Sequence, residues 1–539
     1  WICFRHVQAF DYLPYTCKFE QGLLPHKPMV SLYHSEQATP CPDLFNLAAY
    51  VLNAGDETPE KTALEIIDTD GSVETWTFRA LTQAIRGTAT GLLSLGLKPQ
   101  DRVLMRLGNT IDFPITFLAA ISVGLIPVPS PAQWTQKEVD HAVSLILPGA
   151  ILLDHKLAGP SQYDGQIITQ STLATLRDMA PCDYDRGDPN RLAYIVFTSG
   201  TSGQPRAVMH AHRAIWARRM MIKDWYHLKP SDRLLHAGAL NWTFTLGTGL
   251  LDPWSKGATA LVLKNPNRID GLPGILRTRN VTLMAAVPGV YRKVLQFDQN
   301  LQLPNLRHCL SAGEKLPPMI AENWRKATNT FIYEAYGMSE CSTFISNAPQ
   351  LSLKQGALGR PQRGRKLAIL PLDVGGEPVA YGAIGIIGVH RSDAGLMLGY
   401  FGAAQATQAC FRGDWFLTGD LAIMEKDGTI TYRGRADDMM NAGGFRVAPL
   451  EVETVMQTCP GVVNIAVTSI EIKPNSFVIA GFYMAEAELD GTVLDRFAKH
   501  HLAAYKCPKT YIRCNALPMA ANGKIQRRAL ALNWNNLNG

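Results

Sequence analysis

The chain holds 539 residues, 46% of them hydrophobic and 18% charged, with a formal net charge of +6. Those proportions are ordinary for globular proteins and exclude collagen-like, disordered and coiled-coil classes. So small a positive excess over this length gives no reason to expect nucleic acid or an anionic membrane as a partner. Length alone predicts roughly three or four units at about 150 residues each.

Ten cysteines occur without a single CxxC pair, which fits a reducing compartment and excludes a disulfide scaffold or a zinc ribbon. The longest uncharged apolar stretch, Phe113 to Pro131, is interrupted by Pro114, Pro127 and Pro129. The run between Pro114 and Pro127 falls short of the about 20 residues that cross a bilayer, so no membrane span is expected. The sequence opens at Trp1 and shows no basic-then-apolar leader pattern, which makes a cytoplasmic location the expectation.

Residues 1–40 mix Cys3, His6, Pro14, Cys17 and Pro25 without periodicity and stay unassigned. From about Pro42 the pattern turns β/α. The run at 102–107 predicts a strand, Ile111–Val123 a helix and 125–129 the next strand, a βαβ unit and hence parallel sheet. Residues 150–155 and 192–197 are further apolar runs of buried-strand length. The runs at 258–263, 281–287 and 306–314 continue the alternation with helical stretches. Beyond about residue 375 the texture shifts to short strands punctuated by glycine, as at 382–389 and 428–435. A compact tail follows, with a helix predicted over Pro449–Gln457 and strands over 463–470 and 476–484. A boundary near Asp437 divides the chain into 1–40, 41–436 and 437–539.

One stretch carries the chemistry. The apolar run Tyr194–Phe197 leads into Thr198, Ser199, Gly200, Thr201, Ser202 and Gly203, followed by the cation Arg206. Glycines let backbone amides approach an anion, hydroxyls donate further hydrogen bonds, and the cation adds charge. That is a phosphate-binding pattern. No GxxxxGK[ST] occurs, and no GxGxxG follows this strand, so neither the P-loop nor the dinucleotide fingerprint accounts for it.

Four further segments stand in order after it: Tyr333–Glu340 (YEAYGMSE), Thr418–Asp420 (TGD), Gly434–Arg446 (GRADDMMNAGGFR) and Pro518–Lys524 (PMAANGK). Together with the 194–208 segment they resemble the adenylate-forming superfamily, in its acyl- and aryl-CoA ligase branch near the benzoate-type and medium-chain ligases. The resemblance implies an α/β fold, with a large N-terminal domain of several subdomains and a small mobile C-terminal α/β domain. It also implies a two-step reaction. A carboxylate attacks the α-phosphorus of ATP, giving acyl-adenylate and pyrophosphate; a thiol then displaces AMP. Bringing an anionic nucleophile to a polyanion makes charge neutralisation the main catalytic demand.

The same resemblance assigns roles. Residues 198–203 and Arg206, which stands where the family usually has lysine, hold the β- and γ-phosphates. Arginine is a planar fork rather than a point charge, so altered positioning is expected there. Glu340 is the expected Mg2+ ligand, since a hard dication bridges carboxylate and phosphate oxygens. Ser339 replaces the usual threonine near the α-phosphate, and Glu334, Ala335, Tyr336, Gly337 and Met338 line the nucleotide with it. Asp420 takes the ribose hydroxyls, with Arg435 beside it. Ser311, Ala312, Gly313 and Glu314 line the adenine and acyl pocket. Trp242, after Asn241, joins Ala335 and Gly337 around the acid. Lys524 is the catalytic cation, reaching carboxylate and α-phosphate as the adenylate forms, with Glu340 and Thr198 as the other catalytic residues. Asp437 is the hinge about which Lys524 withdraws and Gly443, Gly444 and Phe445 come to the thiol channel.

Only 15 residues follow Lys524, too few for a carrier domain within this sequence, and coenzyme A is the expected acceptor. Transfer to a carrier protein or an amine, a luciferase-like oxygenase and a catalytically silent acid or nucleotide sensor stand as alternatives. The expected partners are ATP, Mg2+, coenzyme A and an aromatic or short-to-medium aliphatic carboxylic acid. The oligomeric state is open between monomer and homodimer.

Overall fold

The computed structural model describes residues 29–35, 39–198, 205–298, 301–351, 356–373, 375–442, 445–473, 476–519 and 525–538. The expected βαβ unit forms first. Arg102–Arg106 pairs in parallel with Ile126–Pro129, and the connecting helix Asp112–Ser122 is buried along its whole length. Ala150–Leu153 and Gln166–Thr169 extend this sheet in parallel on the other side. A helix buried all round needs no polar face, which is why its sequence looks uniformly apolar. Among the described residues no helix is long and apolar enough to cross a membrane.

A second, nine-stranded sheet is the frame of the molecule. Its order runs Arg360–Pro361, Ser342–Ser346, Ile332–Met338, His308–Ser311, Leu283–Ala286, Arg233–His236, Thr259–Leu263, Thr62–Ile67 and Val73–Thr77. The six strands from Ile332–Met338 to Thr62–Ile67 pair in parallel, and antiparallel strands flank them. Both faces are covered. Leu235, Met284, Cys309 and Ile332 pack on one side, while Leu234, Leu283, Leu310 and Ala335 pack on the other. Near-continuous apolar strands are what a parallel sheet buried on two faces requires.

Two segments that the sequence left open take shape here. The run at 192–197 forms the strand Leu192–Thr198, which pairs antiparallel with Arg206–Ala211, which pairs in turn with Gly399–Tyr400. A parallel crossover takes a dozen or more residues, and the short connection between these strands permits only a hairpin. The unassigned first 40 residues also contribute structure. Leu32–His34 forms the edge of a six-stranded antiparallel sheet by pairing with Lys366–Ala368. Its remaining strands are Ile384–His390, Trp415–Met424, Phe411–Arg412 and Ile430–Arg435.

The tail has its own core. Asn464–Lys473 and Ser476–Met484 form an antiparallel pair, and Thr510–Arg513 adds in parallel. Helices Pro449–Met456 and Gly491–His501 bury Val452, Met456, Leu494 and Ala498 against it.

Candidate active site

The hairpin brings Thr198 and Arg206 into register at its mouth. Val196 and Val208, paired further down, are buried and anchor it. Residues 199–204, which include Ser199, Gly200, Thr201, Ser202 and Gly203, lie outside the described residues. Arg206 lies over the ring of Tyr400, 5.1 Å from its centroid. A guanidinium stacks on an aromatic face in a way an ammonium does not, which gives the arginine at this position a physical role.

Tyr400 continues the chain of contacts by donating its hydroxyl to Glu340 Oε1 at 2.8 Å. Glu340 is 8% exposed. Burial raises its carboxyl above the usual range, opposed by the Tyr400 hydrogen bond and by Arg206 and Arg435. The turn that carries it is tightly made. Ser342 adopts φ +62°, and a Cβ on Gly337 would collide with the Ser342 carbonyl and Thr343 Cα. Only glycine permits that approach. His210 reaches the same turn, its Nε2 lying 2.7 Å from the Ser339 carbonyl.

A second carboxylate is more elaborately held. Asp420, 7% exposed, accepts from the Tyr336 hydroxyl at 2.5 Å and the Tyr432 hydroxyl at 3.1 Å. Arg435 stands opposite it in the strand register, its Nη1 3.5 Å from Asp420 Oδ2 and 3.1 Å from the Thr418 carbonyl. Gly419, at φ +74°, allows this; a Cβ there would stand 2.9 Å from the Arg435 guanidinium. Burial and the neighbouring carboxylate push both tyrosine hydroxyls well above their ordinary range, so they remain donors. A carboxylate offers about four lone-pair sites, which leaves acceptor capacity for a ligand diol. Arg435 also donates from Nε to Asp437 Oδ1 at 3.0 Å, tying the ribose candidate to the expected hinge residue.

An apolar cluster is built around Trp242. Gly313 adopts φ +92°, and a Cβ there would meet the Trp242 indole at 2.8 Å. Trp242 packs edge-on against Phe244, and Ala312 and Ala335 are buried in the same cluster. Ser311 Oγ is buried and has no hydrogen-bond partner among the described residues. Glu334, beside Ser311 in the sheet register, accepts from the Leu316 amide at 2.8 Å.

Burial raises the Glu334 carboxyl from 4.5 to about 7. The folded protein therefore keeps a proton that the unfolded chain releases at lower pH. Stability from this group is full in acid and declines as pH rises towards about 7. Glu334→Gln keeps the acceptor for Leu316 and removes the titration. Its Tm should fall less than the parent's between about pH 5 and about pH 8, by about 2–4 °C. Identical profiles would exclude Glu334 as the titrating group.

Towards the tail, Arg527 donates to Glu453 from Nε and Nη2 at 2.9 and 2.6 Å, and from Nη1 to Asp438 at 3.3 Å. It holds the Pro449–Met456 helix to the residue that follows Asp437. Lys524, Gly443 and Gly444 lie outside the described residues. Phe445 begins a short strand paired with Ala442. Met519 and Ile525, on either side of the Lys524 segment, form an antiparallel bridge.

This arrangement matches a known family. The description of the AMP-binding enzymes covers residues 52–401, and that of the AMP-binding enzyme C-terminal domain covers 451–524. The chain is an AMP-binding enzyme. Among curated relatives, human mitochondrial acyl-coenzyme A synthetase ACSM3 is 27% identical over 528 residues, covering 91% of this chain and 89% of that one. Human mitochondrial acyl-coenzyme A synthetase ACSM2B is 29% identical, covering 94% and 93%. A benzoate CoA ligase from Burkholderia xenovorans superposes with a TM-score of 0.80 at 26% identity, covering 90% of this AMP-binding enzyme and all of that chain. ATP-bound MatB from Rhodopseudomonas palustris shares the fold, with a TM-score of 0.82 at 23% identity, covering 92% and 100%.

Several side chains of the site escaped the sequence reading. Tyr400 and Tyr432 touch Glu340 and Asp420, yet each sits in a run with no motif of its own. Tyr432 had one legible signal: it shares the 428–435 strand with Arg435, and that strand follows the one carrying Asp420. Tyr400 had none, because its role depends on strand pairing with the phosphate hairpin.

Proposed function

We propose that this AMP-binding enzyme is an AMP-forming acid–thiol ligase. It joins a carboxylic acid to AMP with release of pyrophosphate, then transfers the acyl group to coenzyme A. The observation that carries this reading is the pairing of two differently built carboxylates. Asp420 is surrounded by tyrosine hydroxyls and Arg435, suited to a ribose, while Glu340 stands beside the cation of the phosphate hairpin. Its relatives are named as acyl-coenzyme A synthetases and as a benzoate CoA ligase, which supports coenzyme A as acceptor.

In this assignment the ribose hydroxyls donate to Asp420, and Trp242, Ala335 and Gly337 border the acid. Arg206, Thr198 and the rest of the hairpin loop neutralise the β- and γ-phosphates as the carboxylate approaches. Among the described residues no cluster of three His, Cys, Asp or Glu side chains stands ready for a metal. Glu340 as a single carboxylate near the phosphates fits Mg2+, which takes one or two carboxylates and fills its shell with phosphate and water. Mg2+ bound there supplies charge neutralisation to the nucleotide phosphates. Lys524 approaches when the tail rotates about Asp437, and Gly443, Gly444 and Phe445 face the thiol in the other orientation.

The acid is aromatic or short-to-medium aliphatic, a class that an indole wall and small residues accommodate. The chain works as a monomer or homodimer in a reducing compartment, in keeping with the free thiols described. The sequence reading favoured the cytoplasm; the curated relatives are named as mitochondrial. ATP–pyrophosphate exchange across a panel of carboxylates tests the first half. Exchange should depend on added acid, and AMP release should then require coenzyme A. Acid-independent exchange, or AMP release unaffected by coenzyme A, would overturn the ligase reading.

A further inference from the structure

Tyr400 touches both charged groups assigned to the phosphate end of the site. The Arg206 guanidinium lies over its ring, 5.1 Å from the centroid, while its hydroxyl donates to Glu340 Oε1 at 2.8 Å. Arg206 is near enough to favour the charged form of Glu340, yet among the described residues no ion pair joins the two.

The backbone around Tyr400 fixes that position. Tyr400 is in register with Val208 on the strand that begins at Arg206, and the Phe401 amide donates to the Ala207 carbonyl at 2.8 Å. The Met397 amide donates to the Glu340 carbonyl at 2.7 Å, and the Tyr400 amide donates to the Thr407 hydroxyl at 2.9 Å. Residues 397–401 are therefore bound both to the strand that carries the cation and to the turn that carries the carboxylate. The Tyr400 side chain belongs to the same buried cluster as Val208 and Met397, and close packing leaves it little room to swing away.

A guanidinium and a carboxylate that meet in a buried place form a bidentate, charge-assisted pair. Such a pair would occupy the donors that face phosphate with the oxygens that face Mg2+. Tyr400 gives each group a less demanding partner. A π face attracts the guanidinium without using its N–H donors, and one hydroxyl takes a single lone pair of a carboxylate that has about four. Phenylalanine could serve only the cation and serine only the carboxylate, whereas tyrosine serves both.

We propose that Tyr400 is a positioning residue that holds Arg206 and Glu340 apart, so that the cation meets the β- and γ-phosphates and the carboxylate meets Mg2+ rather than each other. This rests on the ligase reading and adds to it a residue that acts through two others.

The test compares Tyr400→Leu and Tyr400→Phe in the full-length enzyme, by calorimetric titration of ATP at varied Mg2+ and by ATP–pyrophosphate exchange. Tyr400→Leu removes ring and hydroxyl together. The Mg2+ concentration that half-maximises ATP binding should rise about 10-fold, and the KM for ATP should rise with it. Tyr400→Phe keeps the ring as a spacer, and its Mg2+ midpoint should rise by about threefold at most. Removing the cation separates positioning from packing. In Arg206→Gln, where Glu340 has no guanidinium to pair with, adding Tyr400→Leu should move the midpoint no further than Tyr400→Phe moves it in the parent. Midpoints are properties of the folded molecules and do not depend on how much of each preparation is folded. The inference is overturned by a Tyr400→Leu midpoint equal to the parent's, by a Tyr400→Phe midpoint as high as that of Tyr400→Leu, or by a 10-fold rise that persists in Arg206→Gln. Each of these leaves the ligase standing. Exchange silent with every acid sinks the ligase reading, and the binding midpoints then still decide the role of Tyr400.

Discussion

Asp420→Ala should raise the KM for ATP by about 100-fold or more while leaving the fold recognisable. The carboxylate accepts from two buried tyrosine hydroxyls and faces Arg435, and the ribose diol would add to the same oxygens. Hydrogen bonds to a charged group contribute about 1.5–3 kcal/mol each, so losing two from the nucleotide removes about 3–6 kcal/mol of binding. Alanine also takes the carboxylate acceptor from the buried Tyr336 and Tyr432 hydroxyls and leaves Arg435 only Thr418 and Asp437, and stability should fall by about 2–4 kcal/mol for that reason alone. Asp420→Asn separates the two effects. It keeps one oxygen for a tyrosine and most of the shape, so stability should largely recover while ATP affinity stays low. Exchange kinetics at varied ATP, beside chemical denaturation of both variants, provides the check. An unaltered ATP dependence in either variant would dismiss Asp420 as the ribose carboxylate.

Glu340→Gln should depress exchange by about 100- to 1000-fold and shift the Mg2+ titration to higher concentration. Glutamine keeps the oxygen that accepts from Tyr400, so the Tyr400–Arg206 stack has no cause to move. What disappears is a full negative charge beside the phosphates, and a hard dication depends on that charge for its hold. Several kcal/mol of transition-state stabilisation attach to a metal placed against a reacting phosphate. Binding of AMP, which lacks the β- and γ-phosphates, should change little. Matching Mg2+ midpoints for the two proteins would place Glu340 outside the metal shell.

The two carboxylates were more legible than their partners. Asp420 and Glu340 were both visible in the sequence, each within a short run of small and polar residues in a defined order. Their partners were not. Tyr400 stands 60 residues from Glu340 in the chain, and Tyr336 stands 84 from Asp420. Such contacts follow from strand pairing between distant segments, and a one-dimensional pattern does not encode which strands pair. The hairpin illustrates the reverse case. A short polar loop between two apolar runs implies antiparallel pairing on its own, because a parallel crossover needs a longer connection, and the two strands pair in that way.

What the amino-acid order determined by itself was the chemistry: hydroxyls, glycines and a cation after an apolar strand, two carboxylates, and a late lysine, in the sequence of an adenylating site. Those features are local, because a turn or a phosphate-binding loop is made by neighbours along the chain. Only the tertiary structure decided how each charge is held. It set Tyr400 between Arg206 and Glu340 and put two tyrosines on Asp420. Those properties belong to surfaces that meet from remote parts of the chain, where burial and packing fix the environment of each group.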